Sequence, residues 1–431
     1  MSNQISLRRR ALSALMNTTD NGAYANLAVK EATSGLLQDE AKWVTALFYN
    51  TLDNLIYIDK VIDSSIKSKL DKKIRGVLRL GVCQLLFMAV PERAAVNESV
   101  KLTKEIGKAA LSGYVNAVMR AVAAKKESPL EMPKESRERI SIQYSFPRYL
   151  VDMYADEYGE EFTEAMLSCK HKGTVFRLVK PFDGEGLPSL FKPSLFDNAR
   201  YVDDGFDVLR NELFQNGNIT VQSLSSMLVC HALNAKAGMC VLDACAAPGG
   251  KTAYISEMME QKGEVVATEL HEHRAELTKK TLERLNVKNA SVLQKDASKL
   301  CEEFVEKFDA VLVDAPCSGL GVTGKADIKY TKSMEAIEEL ARLQYEILSN
   351  CAKYVKRGGT LVYSTCTVSK KENEENAAKF LKEHPDFLAD DTLKDLIPDN
   401  LRKRVKDGRI QLFPHIDNME GFFIARFQKW T

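Results

Sequence analysis

Five short apolar runs, each closing on a polar or reactive residue, constrain this 431-residue chain more than any other feature. They are "MCVLDACA" (239–246), "EVVATEL" ending at Glu269, "ASVLQKDAS" reaching Asp296, "FDAVLVDAPCSGLG" reaching Asp314 and Cys317, and "GGTLVYSTCT" reaching Cys366. Helical stretches such as "HRAELTKKTLERL" lie between them. Apolar runs of this length alternating with helices predict buried parallel strands, hence an α/β, doubly wound sheet. Ligands of such sheets bind outside the carboxyl ends of the strands, so the polar residues at those ends are expected to converge on one cleft.

The first run leads into "DACAAPGGKT" (243–252), which ends like a nucleotide-phosphate loop. That loop needs glycine where Cys245 stands, and a full row of inward amides, one of which Pro248 removes. A phosphate cradle is therefore disfavoured. Strand, glycine-rich turn and the helix-like "AYISEMMEQKG", stopped by Gly263, still form the opening of a nucleotide-binding sheet. Glu269 falls at the tip of the second strand, placed to accept hydrogen bonds from ribose hydroxyls. Taken alone, this suits NAD and S-adenosyl-L-methionine equally. The missing G-x-G-x-x-G removes the turn a pyrophosphate needs.

Nine cysteines without a C-x-x-C pair, and six scattered histidines, predict neither a zinc site nor any other metal. Arg8, Arg9 and Arg10 precede "ALSALMNTTDNG", too short an apolar run for a secretory signal, and no segment approaches a membrane span. A cytoplasmic chain with reduced thiols is the expectation. Cys83, Cys230, Cys240 and Cys351 read as small core hydrophobes, and Cys245 as packing or lining its loop. Cys317 and Cys366 differ, because "DAPCSG" and "YSTC" each hold a thiol just past a strand end.

Together "DACAAPGGKT", "LVDAPCSGLG" and "LVYSTCT" resemble the cofactor loop and the two cysteine motifs of the RNA cytosine-C5 methyltransferases. The N-terminal third resembles a NusB-like helical RNA-binding domain through "NLAVKEATSGL", "LFYNTLDNLIYIDKVID", "LRLGVCQLLFM", "AAVNESVKL" and "GYVNAVMRAV". That order of domains is similar to the RsmB/Sun/Fmu family of bacterial 16S rRNA methyltransferases, and the likeness extends to "LFPHIDNMEGFFIARFQ" near the end. The resemblance implies S-adenosyl-L-methionine as cofactor, 16S rRNA as partner, and a cytosine of the position-967 type as target. It implies that Cys245, Ala246, Ala247, Pro248, Gly249, Gly250 and Lys251, with Glu269, Asp296 and Asp314, hold the cofactor. Cys366 would supply the nucleophile and Cys317 would assist breakdown of the adduct.

Such chemistry has a physical need for a thiolate. Carbon 5 of cytosine is a poor nucleophile while ring conjugation holds its electrons; sulfur added at carbon 6 makes carbon 5 enamine-like. Asp314 could then hydrogen-bond the ring nitrogen, or merely cap its strand. Lys251 could depress a thiolate pKa or neutralise nearby carboxylates. Since duplex stacking hides carbon 6, the target must be single-stranded or flipped.

The length predicts two or three domains. Residues 1–125 read as amphipathic helices, "KKESPLEMPKES" (125–136) as a linker, 137–215 as a small α+β element with "TVFRLVK" a strand, and 216–431 as the catalytic domain, the whole being a monomer. Sixty basic residues against 59 acidic ones do not announce a nucleic-acid partner, so RNA contact rests on local runs: "RRR" (8–10), "IKSKLDKKIRGVLR" (66–79) and "LRKRVKDGR" (401–409).

Several positions depart from the family pattern. "VTGKA" before "DIKY", which starts at Asp327, replaces an Arg-Arg pair; Arg177-Leu178-Val179 stands for Arg-x-Asn; Ser223 replaces an acidic residue after Gln222; and Glu420 replaces Asp. A non-catalytic RNA-binding or ribosome assembly factor retaining the fold is the rival reading, against which paired strand-end thiols argue. An amino-group methyltransferase would want Asn/Asp-Pro-Pro-aromatic in place of "DAPCSG".

Overall fold

The computed structural model describes residues 5–67, 69–169, 173–203, 206–322, 328–331 and 333–430. The chain divides into two compact units, one of residues 1–168 with 325–332 and one of 169–324 with 333–431.

In the first unit seven α-helices run between Leu7–Asn21 and Ser112–Ala124. Local chemistry sets their starts: the Ser6 hydroxyl accepts from the Arg9 amide, and the Asp71 carboxylate accepts from Lys73 and Ile74 to open helix Lys72–Leu86. Their apolar stripes meet in a core that includes Leu15, Phe48, Leu52, Ile62, Leu78 and Met119. Residues 125–135 carry no helix, after which Ser136–Tyr144, Arg148–Tyr158 and Glu160–Ser168 add three more to this unit.

The second unit opens with a small antiparallel sheet of β1 (Thr174–Leu178), β2 (Lys192–Pro193), β3 (Ala199–Val202) and β4 (Ile219–Val221), ordered β2-β3-β1-β4. The large sheet follows: β5 (Cys240–Asp243), β6 (Glu264–Glu269), β7 (Ala290–Gln294), β8 (Phe308–Asp314), β9 (Val355–Thr365), β10 (Phe387–Ala389), β11 (Arg409–Leu412) and β12 (Phe422–Lys429). Its order is β10-β12-β9-β8-β5-β6-β7, with β11 also on β12. The five strands expected from the apolar runs are parallel to one another, and β12 pairs antiparallel with β9. Val241, Leu242, Val265, Val311, Leu312, Leu361 and Val362 are buried, as strands covered on both faces require.

From β5 the chain winds outward through β6 and β7, then returns to the other side of β5 to add β8 and β9. The order reverses between β5 and β8, and a crevice at their carboxyl ends is where such sheets bind ligands. Two details differ from the sequence reading. The helix after the loop is Gly250–Met258, shorter than expected, because Glu260 and Gln261 already turn left-handed at φ 53° and 54°. Gly263, at φ 96°, serves the turn into β6, where a side chain would strike the Met239 carbonyl. Asp296 lies two residues beyond the end of β7.

Candidate active site

The loops after β8 and β9 bring the two singled-out thiols together. Cys317 Sγ lies 3.1 Å from Cys366 Sγ and 3.2 Å from the Cys366 amide, which donates to it. Each residue is partly exposed. The hydrogen bond with the Cys366 thiol, followed by burial, holds the Cys317 pKa well above the ordinary thiol value.

The register of β8 with β9 sets Asp314 opposite Ser364. The Ser364 hydroxyl donates to Asp314 Oδ1 at 2.7 Å, while Lys251 Nζ lies 2.7 Å from Oδ2. Burial alone would lower the Lys251 pKa, but the Asp314 carboxylate outweighs it and the net shift is upward. Of the two roles the sequence left open for Lys251, the ion pair with Asp314 is the one this contact favours. Its ammonium also stands 5.5 Å from the Phe422 ring centroid.

Two glycines allow the Cys317 loop to approach the end of the sheet. Gly321 N donates to the Cys366 carbonyl at 3.0 Å, and Gly421 N donates to the Gly321 carbonyl at 2.8 Å. A Cβ on Gly321 would collide with the Gly421 backbone.

The loop after β5 crosses the same edge of the sheet. Ala246 N donates to Thr268 O, and Gly249, at φ 96°, donates to Ala246 O at 2.7 Å. Cys245 is half-buried, Ala246 buried and Pro248 exposed. A Cβ on Gly250 would meet nothing within 4 Å, so open space faces the start of helix Gly250–Met258. Beside it Glu269 is 4% exposed, its carboxylate accepting from His271 N at 3.2 Å and paired at 3.4 Å with Arg274, which also reaches Ala247 O. Asp296 accepts from the Ser298 hydroxyl and amide, which lower its pKa. Asp243, at the end of β5, is fully buried; burial pushes its pKa up to about 6, against the Thr252 hydroxyl that donates to it.

A ligand with a ribose and an anionic group matches this edge: Glu269 offers an acceptor for a diol, and a helix start with room before it suits a carboxylate. Among the described residues no group of three or more His, Cys, Asp or Glu is arranged to hold a metal, and no helix is long and apolar enough to cross a membrane.

The basic runs fare unevenly as nucleic-acid contacts. Arg8 is engaged by Gln84, Glu98 and the Trp43 ring, and Arg10 by the carbonyls of Ala32 and Ser34. Arg75 and Arg79 pair with Asp59, and Arg404 with Asp417. Lys69, Lys72, Lys73 and Lys403 are exposed. The "VTGKA" departure lies, from residue 323 on, outside the described residues. Of the others, only Ser223 acquires a local reason; nothing in the structure explains Glu420 for Asp or Val179 for Asn. Ser223 caps helix Leu224–Leu233 as an acidic residue would, and Glu420 offers its carbonyl to Ser225. Arg177 is fully buried, over the Tyr254 ring and bonded to Gln222 and Glu257.

Sequence reasoning missed Ser364, Arg274 and Glu372. Glu372 is fully buried and accepts from Ser318, the residue after Cys317, and from Thr367, the residue after Cys366. In sequence it sits in the charged run "KKENEEN", which reads as a solvated helix start.

Comparison with known proteins agrees with this geometry. Residues 230–428 match the family model described as 16S rRNA methyltransferase RsmB/F, and residues 6–124 match the NusB family. The chain is 37% identical to the probable ribosomal RNA small subunit methyltransferase B of Bacillus subtilis (strain 168), over 98% of this chain and 99% of that protein. It is 30% identical to the ribosomal RNA small subunit methyltransferase B of Shewanella oneidensis, over 99% and 100%. A solved structure of the protein PH0851 superposes with a TM-score of 0.78 at 26% identity, covering 99% of each chain.

Proposed function

Since this chain belongs to the RsmB/F family of 16S rRNA methyltransferases, and so uses S-adenosyl-L-methionine to methylate ribosomal RNA, we propose that it methylates carbon 5 of a cytosine through a covalent adduct on Cys366. The proximity of the Cys366 and Cys317 sulfurs, 3.1 Å apart beside the fixed carboxylate of Asp314, carries the reading. An amino-group or ribose methyltransferase has no use for two thiols there.

When bound, the cofactor supplies an electrophilic methyl group. Cys245 to Lys251, Glu269, Asp296 and Asp314 form the edge that holds it. Cys366 adds its thiolate to carbon 6 of the flipped base, which places negative charge on the ring as carbon 5 becomes nucleophilic. Asp314 is ion-paired with Lys251 and oriented by Ser364, so it accepts a hydrogen bond from ring nitrogen 3, which takes a proton from solvent as the thiolate adds and returns it once the thiolate has left. After carbon 5 has taken the methyl group its proton leaves to a base, the carbon 6 to sulfur bond breaks, and the thiolate of Cys366 returns. Cys317, protonated and in contact with that sulfur, assists this departure. We assign RNA binding to residues 1–125 and catalysis to 216–431; of the stretch 137–215 between them in sequence, the helices up to Ser168 belong to the first unit and the small sheet to the second.

Bisulfite mapping of 16S rRNA from cells with and without the gene tests the whole reading. One cytosine, in the family's case position 967, is expected to lose its protection in the deletion strain. An unchanged 16S map would remove cytosine-C5 methylation of this RNA from consideration.

A further inference from the structure

We propose that Glu372 is a positioning residue of this reaction: its buried carboxylate straps the loop of Cys317 to the loop of Cys366 and so sets the distance between the two sulfurs. The proposal rests on the assignment of Cys366 as nucleophile and Cys317 as its assistant.

Four donors from three segments converge on the one carboxylate. The Ser318 amide donates to Oε1 at 2.8 Å and its hydroxyl to Oε2 at 2.6 Å, both from the loop after β8. The Thr367 hydroxyl, from the loop after β9, reaches Oε2 at 3.2 Å and contacts the Ser318 hydroxyl at 2.8 Å. Gln344, on helix Met334–Ala352, donates to Oε1 at 2.9 Å and with the same nitrogen to the Pro316 carbonyl at 3.0 Å. Pro316 and Ser318 flank one thiol, and Thr367 follows the other. Holding these three residues holds both sulfurs.

The chemistry of burial explains why this is more than packing. Glu372 has no exposed surface, and no Lys, Arg or His pairs with it among the described residues. A carboxylate out of water and without a cation is stable only when fully hydrogen-bonded, and an apolar side chain of the same volume would fill the space at less cost. What the apolar side chain could not do is tie two loops together through directed bonds at both oxygens. The scaffold behind it is satisfied in the same way: Tyr363 donates to the Glu372 carbonyl at 2.5 Å and lies 3.1 Å from Gln344 Oε1, to which Asn376 donates at 3.3 Å. The strap is thus anchored to a helix and to β9, and the loops are anchored to the strap.

The test reads sulfur proximity directly. Diamide takes two hydrogens from a thiol pair and leaves a disulfide; the rate of the 317–366 linkage, followed by peptide mass spectrometry, reports how often the sulfurs meet. In Glu372→Ala that rate is expected to fall about tenfold or more. The affinity for S-adenosyl-L-methionine, by calorimetry, stays within about twofold, and kcat on RNA falls roughly 100-fold with KM unchanged. Glu372→Gln, whose amide can pair with the two hydroxyls once they reverse direction, should recover most of the linkage rate. Linkage at the wild-type rate in Glu372→Ala, or a loss of cofactor affinity in step with the loss of turnover, overturns the proposal. Should Glu372→Ala fail to fold, the double variant Ser318→Ala with Thr367→Val removes both hydroxyl donors, and the same two outcomes decide. The linkage needs no RNA, so failure of Cys366→Ser to abolish methylation would sink the catalytic reading alone and leave this result standing.

Discussion

Lys251 Nζ lies 2.7 Å from Asp314 Oδ2, joining the start of the helix after β5 to the carboxyl end of β8 across the switch point of the sheet. The pair holds one carboxylate oxygen of Asp314, and the Ser364 hydroxyl holds the other. Lys251→Met therefore leaves a carboxylate with one partner in place of two. Turnover is expected to fall on the order of 100-fold, with cofactor affinity changed only a few-fold, as seen when one preorganised electrostatic contact is lost. Single-turnover transfer of labelled methyl groups measures this; equal losses in turnover and in cofactor affinity would place Lys251 with the cofactor alone.

Cys366→Ser and Cys317→Ser should fail in opposite ways. Without sulfur at 366 there is no addition to carbon 6, and methyl transfer should drop by roughly 1,000-fold or more. With Cys366 intact and Cys317→Ser, addition and methylation proceed but release stalls, so a protein–RNA adduct should persist on a denaturing gel. An adduct trapped by the variant at 366 would exchange the two roles.

Gly321→Ala tests the close approach of the Cys317 loop to Gly421. The added Cβ meets backbone, which cannot rotate aside, and the loop must shift away from the Cys366 carbonyl it binds. Overpacking of this kind costs about 1–3 kcal/mol, and displacement of a reacting group by about 1 Å can cost about 100-fold in rate. Urea unfolding and turnover together are expected to show a modest loss of stability beside a large loss of rate.

Asp243 gives a pH dependence with a definite sign. Burial raises its pKa from 3.8 to about 6, so the folded state binds the proton more tightly than the unfolded chain. The stability this contributes is fully present below pH 4 and is lost as pH rises through about 6, a change of about 3 kcal/mol. The difference in unfolding free energy between wild type and Asp243→Asn isolates it from the other carboxylates. That difference should move in favour of the Asn variant between pH 4 and 7; a flat difference would mean that Asp243 ionises normally.

How much of this was legible in the sequence follows from where each residue spends its polarity. The strands β5 to β9 were readable because a parallel strand buried on both faces must be an apolar run, and Glu269, Asp314, Cys317 and Cys366 stood out as the interruptions of those runs. The covalent roles came from resemblance to a family. Glu372 was hidden because a buried carboxylate bonded to four donors looks, in one dimension, like any glutamate in a charged segment. The contacts of Arg8 and Arg10 were hidden for the converse reason: a basic run suggests a solvated or nucleic-acid-facing surface, and their partners lie up to 90 residues away in sequence. Helix Gly250–Met258 ended early because left-handed turns at Glu260 and Gln261 are tertiary choices that no local propensity announces.

Arg177 links the small sheet to the helix that follows β5, since β1 carries it and Glu257 of helix Gly250–Met258 receives it. The arginine is fully buried, and removing one member of such a pair strands the other charge. Burial already holds the Glu257 pKa above its ordinary value, more strongly than Arg177 lowers it. Without Arg177 that upward shift must grow, so Glu257 can escape the penalty by taking a proton in mild acid. Arg177→Met is therefore expected to destabilise the protein by about 3–5 kcal/mol at pH 8, measured by urea unfolding, and by distinctly less at pH 5. In the double variant with Glu257→Gln the pH dependence of the difference should vanish. A penalty for Arg177→Met that is equal at both pH values would show that the guanidinium contributes through its contacts with Gln222 and the Tyr254 ring rather than by neutralising Glu257.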